Sequence, residues 1–256
     1  MEPPAWRVAG SSVTGSAHAS AGGECQDRHR VEVTRKGLLI AVVSDGAGSA
    51  RFGGEGAGLL CDAVAAALLA LPPVNPDAGR SALLAGCRAV CRGVAAAQGA
   101  VSELAAERSV GIEAFHATLV GAAMLPGRGG LFFHIGDGAA LALGESGWTL
   151  SAPRNGEYAD TTWFFTDPAW RRRLRFTRIG ADTDTVFVMS DGVTELGLKH
   201  EGGGAEPFMP FFEPIGRFLA QASRAEGEQA LSATLDSEAV RAKTADDKTL
   251  IWAQAR

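Results

Sequence analysis

Several things are scarce in this chain, and each shortage narrows the reading. No apolar run reaches the ~18 residues expected of a membrane-spanning helix. The opening Met1-Glu2-Pro3-Pro4-Ala5-Trp6 has neither the basic nor the apolar segment of a secretory signal. A cytoplasmic protein with no membrane partner is the expectation. Basic charge is not in excess: 24 Lys and Arg face 29 Asp and Glu, for a net charge of −5. A nucleic-acid binder would carry a basic footprint, so no nucleic-acid partner is expected. The four cysteines, Cys25, Cys61, Cys87 and Cys91, form no Cys-x-x-Cys pair. They lack zinc-site spacing and read as reduced thiols. Regular strand–helix alternation is missing too, which excludes a doubly wound parallel sheet. No internal repeat appears, and no linker divides the 256 residues, so one domain over 1–256 is expected.

What is present is a set of apolar runs, each ending in a carboxylate. Leu38–Val43 runs into Ser44-Asp45-Gly46, and Val186–Met189 into Ser190-Asp191-Gly192. Leu131–Ile135 leads to Gly136-Asp137-Gly138, and Asp246-Asp247 stands just before Leu250–Ala253. Such runs read as buried strands, and Asp-Gly as the turn that ends them. Lys36-Gly37 reads as a hairpin turn that sets Asp27, opening one strand, beside Asp45, closing the next. Helices are expected over 55–71, stopped by Pro72-Pro73, and over 81–107; both are rich in Ala and Leu. Strands follow over 115–125, 130–135, 139–143 and 148–150, then an irregular excursion over 152–173. Strands at 174–178 and 185–189 come next, then a helical region over 207–243 broken by Pro210 and Pro214, and a last strand over 248–254. This order fits two antiparallel sheets with helices outside.

A single Asp-Gly is only a turn. Asp27, Asp45, Asp137, Asp191 and Asp246 together are different, because all flank apolar strands and none has an obvious basic partner in sequence. Clustered carboxylates repel, and burying them unpaired is costly, so a hard divalent cation is the natural compensation. Two such cations ~3.5–4 Å apart would share a bridging carboxylate and clamp a hydroxide for in-line attack on phosphorus.

These segments resemble the PP2C-type metal-dependent protein serine/threonine phosphatases, in their bacterial branch. The matching stretches are Gly15-Ser-Ala-His18 with Cys25-Gln26-Asp27, Ser44-Asp45-Gly46-Ala47-Gly48, Phe115-His-Ala-Thr118, Gly136-Asp137-Gly138, Ser190-Asp191-Gly192 and Asp246-Asp247-Lys248-Thr249. They come in the family's order and span nearly the whole chain. The resemblance implies an α+β fold, an α/β/β/α sandwich of two antiparallel sheets flanked by helix pairs. It implies Mg²⁺ or Mn²⁺, two or three ions. Asp45 would bridge two of them, with Gly46 lending its carbonyl. Asp191 and Asp246 would hold the first, and Asp137 with Asp191 a third. Asp27 would orient metal-bound water. Hydrolysis would be direct, without a phospho-enzyme. The partner would be a phosphorylated protein, the substrate of a serine/threonine kinase; the oligomeric state stays open.

Departures from the family's pattern set further questions. Ala47 stands where many members carry a histidine, so the general acid is unknown or is metal-bound water. Gln26 replaces a metal-binding Glu. The phosphate-binding Arg has no match, and His18 is the nearest candidate to bind phosphate or donate a proton. Asp247 replaces the usual Asn, so the ligand is Asp246 or Asp247. His116 and His134 read as hydrogen-bonded residues inside strands. Arg171–Arg173 with Arg175 reads as a solvated turn, or as an attractor of acidic substrate segments. Glu157–Thr162 suggests a flap. Gly46-Ala47-Gly48 does not make a dinucleotide site, because Arg51 stands at the third glycine position and Asp45 would repel a pyrophosphate. Two rivals keep the fold: a pseudophosphatase serving as sensor or partner-binding domain, and a hydrolase of small phosphomonoesters.

Overall fold

The computed structural model describes residues 6–72, 79–154, 162–201 and 204–256. In chain order, β1 (Trp6–Val13) leads to a short helix α1 (Ser16–Ser20) and the hairpin β2 (Arg28–Val33) and β3 (Leu39–Ser44). Two long helices follow, α2 (Gly53–Leu69) and α3 (Gly79–Glu107), then a 3₁₀ turn at Ile112–Phe115. Four strands come next: β4 (Leu119–Leu125), β5 (Gly129–Ile135), β6 (Ala139–Gly144) and β7 (Gly147–Ser151). After the one-turn helix α4 (Trp170–Arg173) come β8 (Arg175–Ile179) and β9 (Thr183–Met189). The chain ends with α5 (Asp191–Gly197), a hairpin of β10 (Leu198–Glu201) and β11 (Gly204–Pro207), helices α6 (Met209–Leu219), α7 (Arg224–Leu235) and α8 (Glu238–Arg241), and β12 (Lys248–Ala255).

The large strands form two antiparallel five-stranded sheets, β1-β12-β9-β6-β7 and β2-β3-β4-β5-β8. Why the apolar runs do not alternate with polar residues follows from what covers them. On β3, Ile40 and Val42 pack with α2 and α3, whereas Leu39, Ala41 and Val43 pack against the other sheet. On β9, Val186 and Val188 face that same inter-sheet core, whereas Phe187 and Met189 turn outward to α5, α6 and α7. Strand β12 divides likewise, Ile251 and Ala253 inward, Leu250 and Trp252 outward. Side chains alternate faces along a strand, so a run that is apolar at every position is one covered on both sides. The layers are therefore helices, sheet, sheet, helices, as the resemblance implied.

Four local expectations need correction. The strand expected from Phe115 begins at Leu119, because Ile112–Phe115 closes a 3₁₀ turn first. Ser16–Ser20, in what reads as a Gly/Ser/Ala-rich loop, is helical. The segment after Asp191 is a helix and a hairpin, neither of them foreseen. Pro210 and Pro214 do not break α6: Pro210 lies in its first turn, where no N–H is needed, and Pro214 forfeits only one early bond.

Candidate metal centre

Strand register brings the carboxylates together. Arg28 pairs with Ser44 across the β2–β3 hairpin, so Asp27 and Asp45 are neighbours at one end of that sheet. In the other sheet Ala139 pairs with Met189. In an antiparallel pair, Asp137, two residues before, then comes beside Asp191, two residues after. Asp45, Asp137 and Asp191 each offer a carboxylate oxygen, and these oxygens all lie within 4.8 Å of one another. Asp246 lines the same cavity, whose volume is about 570 Å³.

Contacts within each sheet hold these strand ends in place. The Thr118 N–H donates to the Asp45 carbonyl (2.8 Å), and the Asp45 N–H donates to Thr118 Oγ1 (3.1 Å). Asp191 opens α5, and its Oδ1 accepts from the Gly192 N–H at 2.6 Å. A Cβ on Gly192 would stand 2.1 Å from the Asp247 carbonyl oxygen, so only glycine lets α5 approach the last strand this closely.

The electrostatics are those of carboxyl groups that repel one another. Burial, and then the charges of Asp27, Asp191, Asp246 and Asp137, hold the Asp45 carboxyl well above the usual range. Burial and then Asp137, Asp246 and Asp27 push Asp191 up to about 8. Burial raises Asp137, against a hydrogen bond from Thr162 Oγ1 (2.6 Å), and leaves its Oδ1 without a partner. Asp27 is fully buried beside them and is pushed up to about 6 by that burial. Its Oδ2 accepts from Ser190 Oγ at 2.7 Å, while its Oδ1 has no partner. Oxygen-only donors, mutual repulsion and orphaned buried oxygens fit a hard divalent cation.

The choice between Asp246 and Asp247 is a matter of burial. Asp247 is 1 % exposed and its oxygens are engaged: Oδ1 accepts from the Gly15 N–H (2.6 Å), Oδ2 from the Gln26 N–H (2.5 Å) and from His18 Nδ1 (2.9 Å). Asp246 is exposed to the cavity. Gln26 turns its amide nitrogen toward the Gly46 and Ala47 carbonyl oxygens, 3.2 Å from each, in the orientation that satisfies its surroundings. A carbonyl has two lone pairs, so Gly46 keeps one for another partner.

A match to the family model described as protein phosphatase 2C covers residues 14–236. The chain belongs to the protein phosphatase 2C family. It is a metal-dependent protein phosphatase, and phosphorylated proteins are its substrates. It is 33% identical over 262 residues to serine/threonine-protein phosphatase 3 of Escherichia coli (strain K12), covering 97% of this chain and 99% of that one. Its fold resembles PppA, described as a key regulatory component of T6SS in Pseudomonas aeruginosa, with a TM-score of 0.65, 17% identity and 98% of each chain covered. It also resembles the serine/threonine phosphatase Stp1 from Staphylococcus aureus, with a TM-score of 0.63, 16% identity and 100% and 98% of the two chains covered.

Other expected features fall elsewhere. His116 is not in a strand: it follows the 3₁₀ turn, pairs with Thr166 Oγ1 (2.6 Å) and stacks on Phe164. His134 is in β5 and fully buried, bonded to Ser151 and Arg175. In the basic run Arg171 and Arg172 are exposed, Arg171 covering Trp170 and Arg173 covering Trp163, while Arg175 is turned inward and donates to His134 and to the Ala152 carbonyl. All four cysteines are free. Of the expected flap, residues 157–161 lie outside the described residues, and Thr162 bonds Asp137. No described helix is long and apolar enough to cross a membrane. Sequence reasoning missed Ser190 as the partner of Asp27, and Glu195 and Lys243 in the cavity wall. Glu195 was within reach: four residues after Asp191 it shares a helix face, had α5 been foreseen.

Proposed function

We propose that this chain hydrolyses phosphoserine and phosphothreonine in proteins phosphorylated by a serine/threonine kinase. Mg²⁺ or Mn²⁺ would be held by Asp45, Asp137, Asp191 and Asp246. The single observation behind this reading is the convergence of these four carboxylates on one cavity from both sheets and the last strand's lead-in. Residues 1–256 would work as one unit, since β1 and β12, from the two ends of the chain, pair directly.

Bound cations of this class neutralise phosphoryl oxygens and make a coordinated water more acidic. The protein's part is positioning. Asp45 joins the two sheets' contributions, and with the free lone pair of the Gly46 carbonyl it would serve a second ion; Asp137 and Asp191 would serve a third. Gln26 brings no charge to that second position. Asp27, fixed through Oδ2 by Ser190, offers Oδ1 to orient the attacking water. Attack by water directly on phosphorus needs no nucleophilic side chain, and the cysteine thiols are not required. Burial drives Cys25 up to about 12, where it would be a poor nucleophile.

The test is release of phosphate from a phosphothreonine peptide by purified protein, with and without Mn²⁺ or Mg²⁺, beside calorimetric titration of the ions. Metal-dependent turnover on the peptide supports the reading. Turnover that persists in chelator overturns it. A strong preference for small phosphomonoesters overturns the protein-substrate part.

A further inference from the structure

One buried acid near the centre has no place in the metal set. Asp247 is almost wholly enclosed, yet three donors converge on it: the backbone N–H groups of Gly15 and Gln26, and His18 Nδ1. Two of these donors flank α1, the short helix that carries His18. The Ala17 N–H adds a bond to the Ala245 carbonyl at 3.0 Å. The helix is thus tied at several points to the segment leading into β12. Its one ionisable side chain, His18, is part of the cavity wall that Asp45 and Asp246 also line. With Nδ1 committed to Asp247, the ring nitrogen left over is Nε2, on the side of Gly48, another residue of that wall.

We infer that His18 donates the proton that the departing serine or threonine oxygen needs, and that Asp247 is the residue that positions it. The inference rests on the phosphatase reading above and assigns the proton donor that the reading lacks. A carboxylate on Nδ1 fixes ring orientation and supplies negative charge beside an imidazolium, the arrangement by which a buried acid directs a histidine. Two bonds change. The phosphorus–oxygen bond to the side chain breaks, its electron pair goes to the oxygen, and that oxygen takes the Nε2 proton. The new phosphorus–oxygen bond is to the attacking water, whose released proton passes to solvent and replaces the one His18 gave. Other charged groups line the same cavity: Asp45, Asp137, Asp191, Asp246, Glu195 and Lys243. The four aspartates are occupied by cations in this reading. Neither Glu195 nor Lys243 has a side-chain hydrogen bond or ion pair among the described residues, so neither has a group to aim it as Asp247 aims His18.

The experiment separates leaving groups. An alkoxide needs a proton to depart, whereas a nitrophenolate leaves without one. His18→Asn should lower kcat on a phosphothreonine peptide about 100-fold with KM little changed. On 4-nitrophenyl phosphate it should change kcat less than about 3-fold, a step with no general-acid requirement. Asp247→Asn should give the same substrate-selective loss, about 10-fold, as expected when only a supporting partner is altered. The double variant should be no worse than His18→Asn alone, because both changes disable one function. Equal losses on both substrates in His18→Asn would overturn the inference and leave His18 a structural residue. A rise in KM without loss of kcat would also overturn it, and make His18 a phosphate binder. Should Asp247→Asn fail to fold, His18→Asn still decides the matter. Wild-type protein without metal-dependent turnover sinks the phosphatase reading instead, so the two failures are distinct.

Discussion

The tripeptide Ser-Asp-Gly ends a central strand in each sheet, and the two copies are used differently. In the first, Ser44 donates to the Thr118 carbonyl (2.6 Å), Asp45 is held by Thr118 through the backbone, and the chain leaves as a loop. In the second, Ser190 donates to the Asp27 carboxylate (2.7 Å) and accepts from the Thr249 N–H (2.9 Å), and the chain enters α5 at once. Asp191 therefore has compensation of its own: the Gly192 N–H and the positive end of a helix. Asp45 stands among four other carboxylates and lacks that support. The lesson is that one local motif supplies a carboxylate at a strand end, and its surroundings decide how hard that carboxylate is to charge.

The largest effect tests what the copies share. Asp45→Asn and Asp191→Asn should each lower metal-dependent turnover of a phosphothreonine peptide by about 10³-fold or more, with weakened Mn²⁺ binding by calorimetry. In metal-free protein both should raise the melting temperature, Asp45→Asn more, because each removes a carboxyl that ionises freely in the unfolded chain and is hard to charge in the folded one. Equal stabilisation would erase the distinction drawn between the two sites.

Next comes packing. Gly192→Ala forces a Cβ against the Asp247 carbonyl and should cost about 3 kcal/mol in denaturant unfolding. The serines then separate the copies. Ser190→Ala removes a donor from a buried carboxylate and should cost about 2–3 kcal/mol, against about 1 kcal/mol for the neutral bond lost in Ser44→Ala. Similar costs would mean that Asp27 is buried in its protonated form.

The mildest test is pH. Carboxylates raised by folding bind protons more tightly folded than unfolded, so their contribution to stability falls as pH rises. Asp27 and Asp191 depart from ~3.9 in the unfolded chain to about 6 and about 8 in the folded one. Metal-free protein should therefore melt roughly 10 °C lower at pH 8 than at pH 5, and Mn²⁺ should abolish the difference.

Much of this was legible from residues alone. Runs such as Leu39–Val43 announced strands buried on both faces, and the carboxylates after them announced a shared site. Illegible was whatever depended on partners distant in sequence. Ser16–Ser20 reads as loop because its anchors are Ala245 and Asp247. Asp191–Gly197 is too short to show a helical period.

Residue order by itself determined the two-sided strands, the acid at each strand end and hence the family, because apolar periodicity and turn chemistry are local properties. Only the tertiary structure decided that Asp246 faces the cavity while Asp247 turns inward to hold His18. Those two acids are chain neighbours with the same chemistry, and only packing against the distant stretch 15–26 leaves one with a solvated face and gives the other three hydrogen-bond donors.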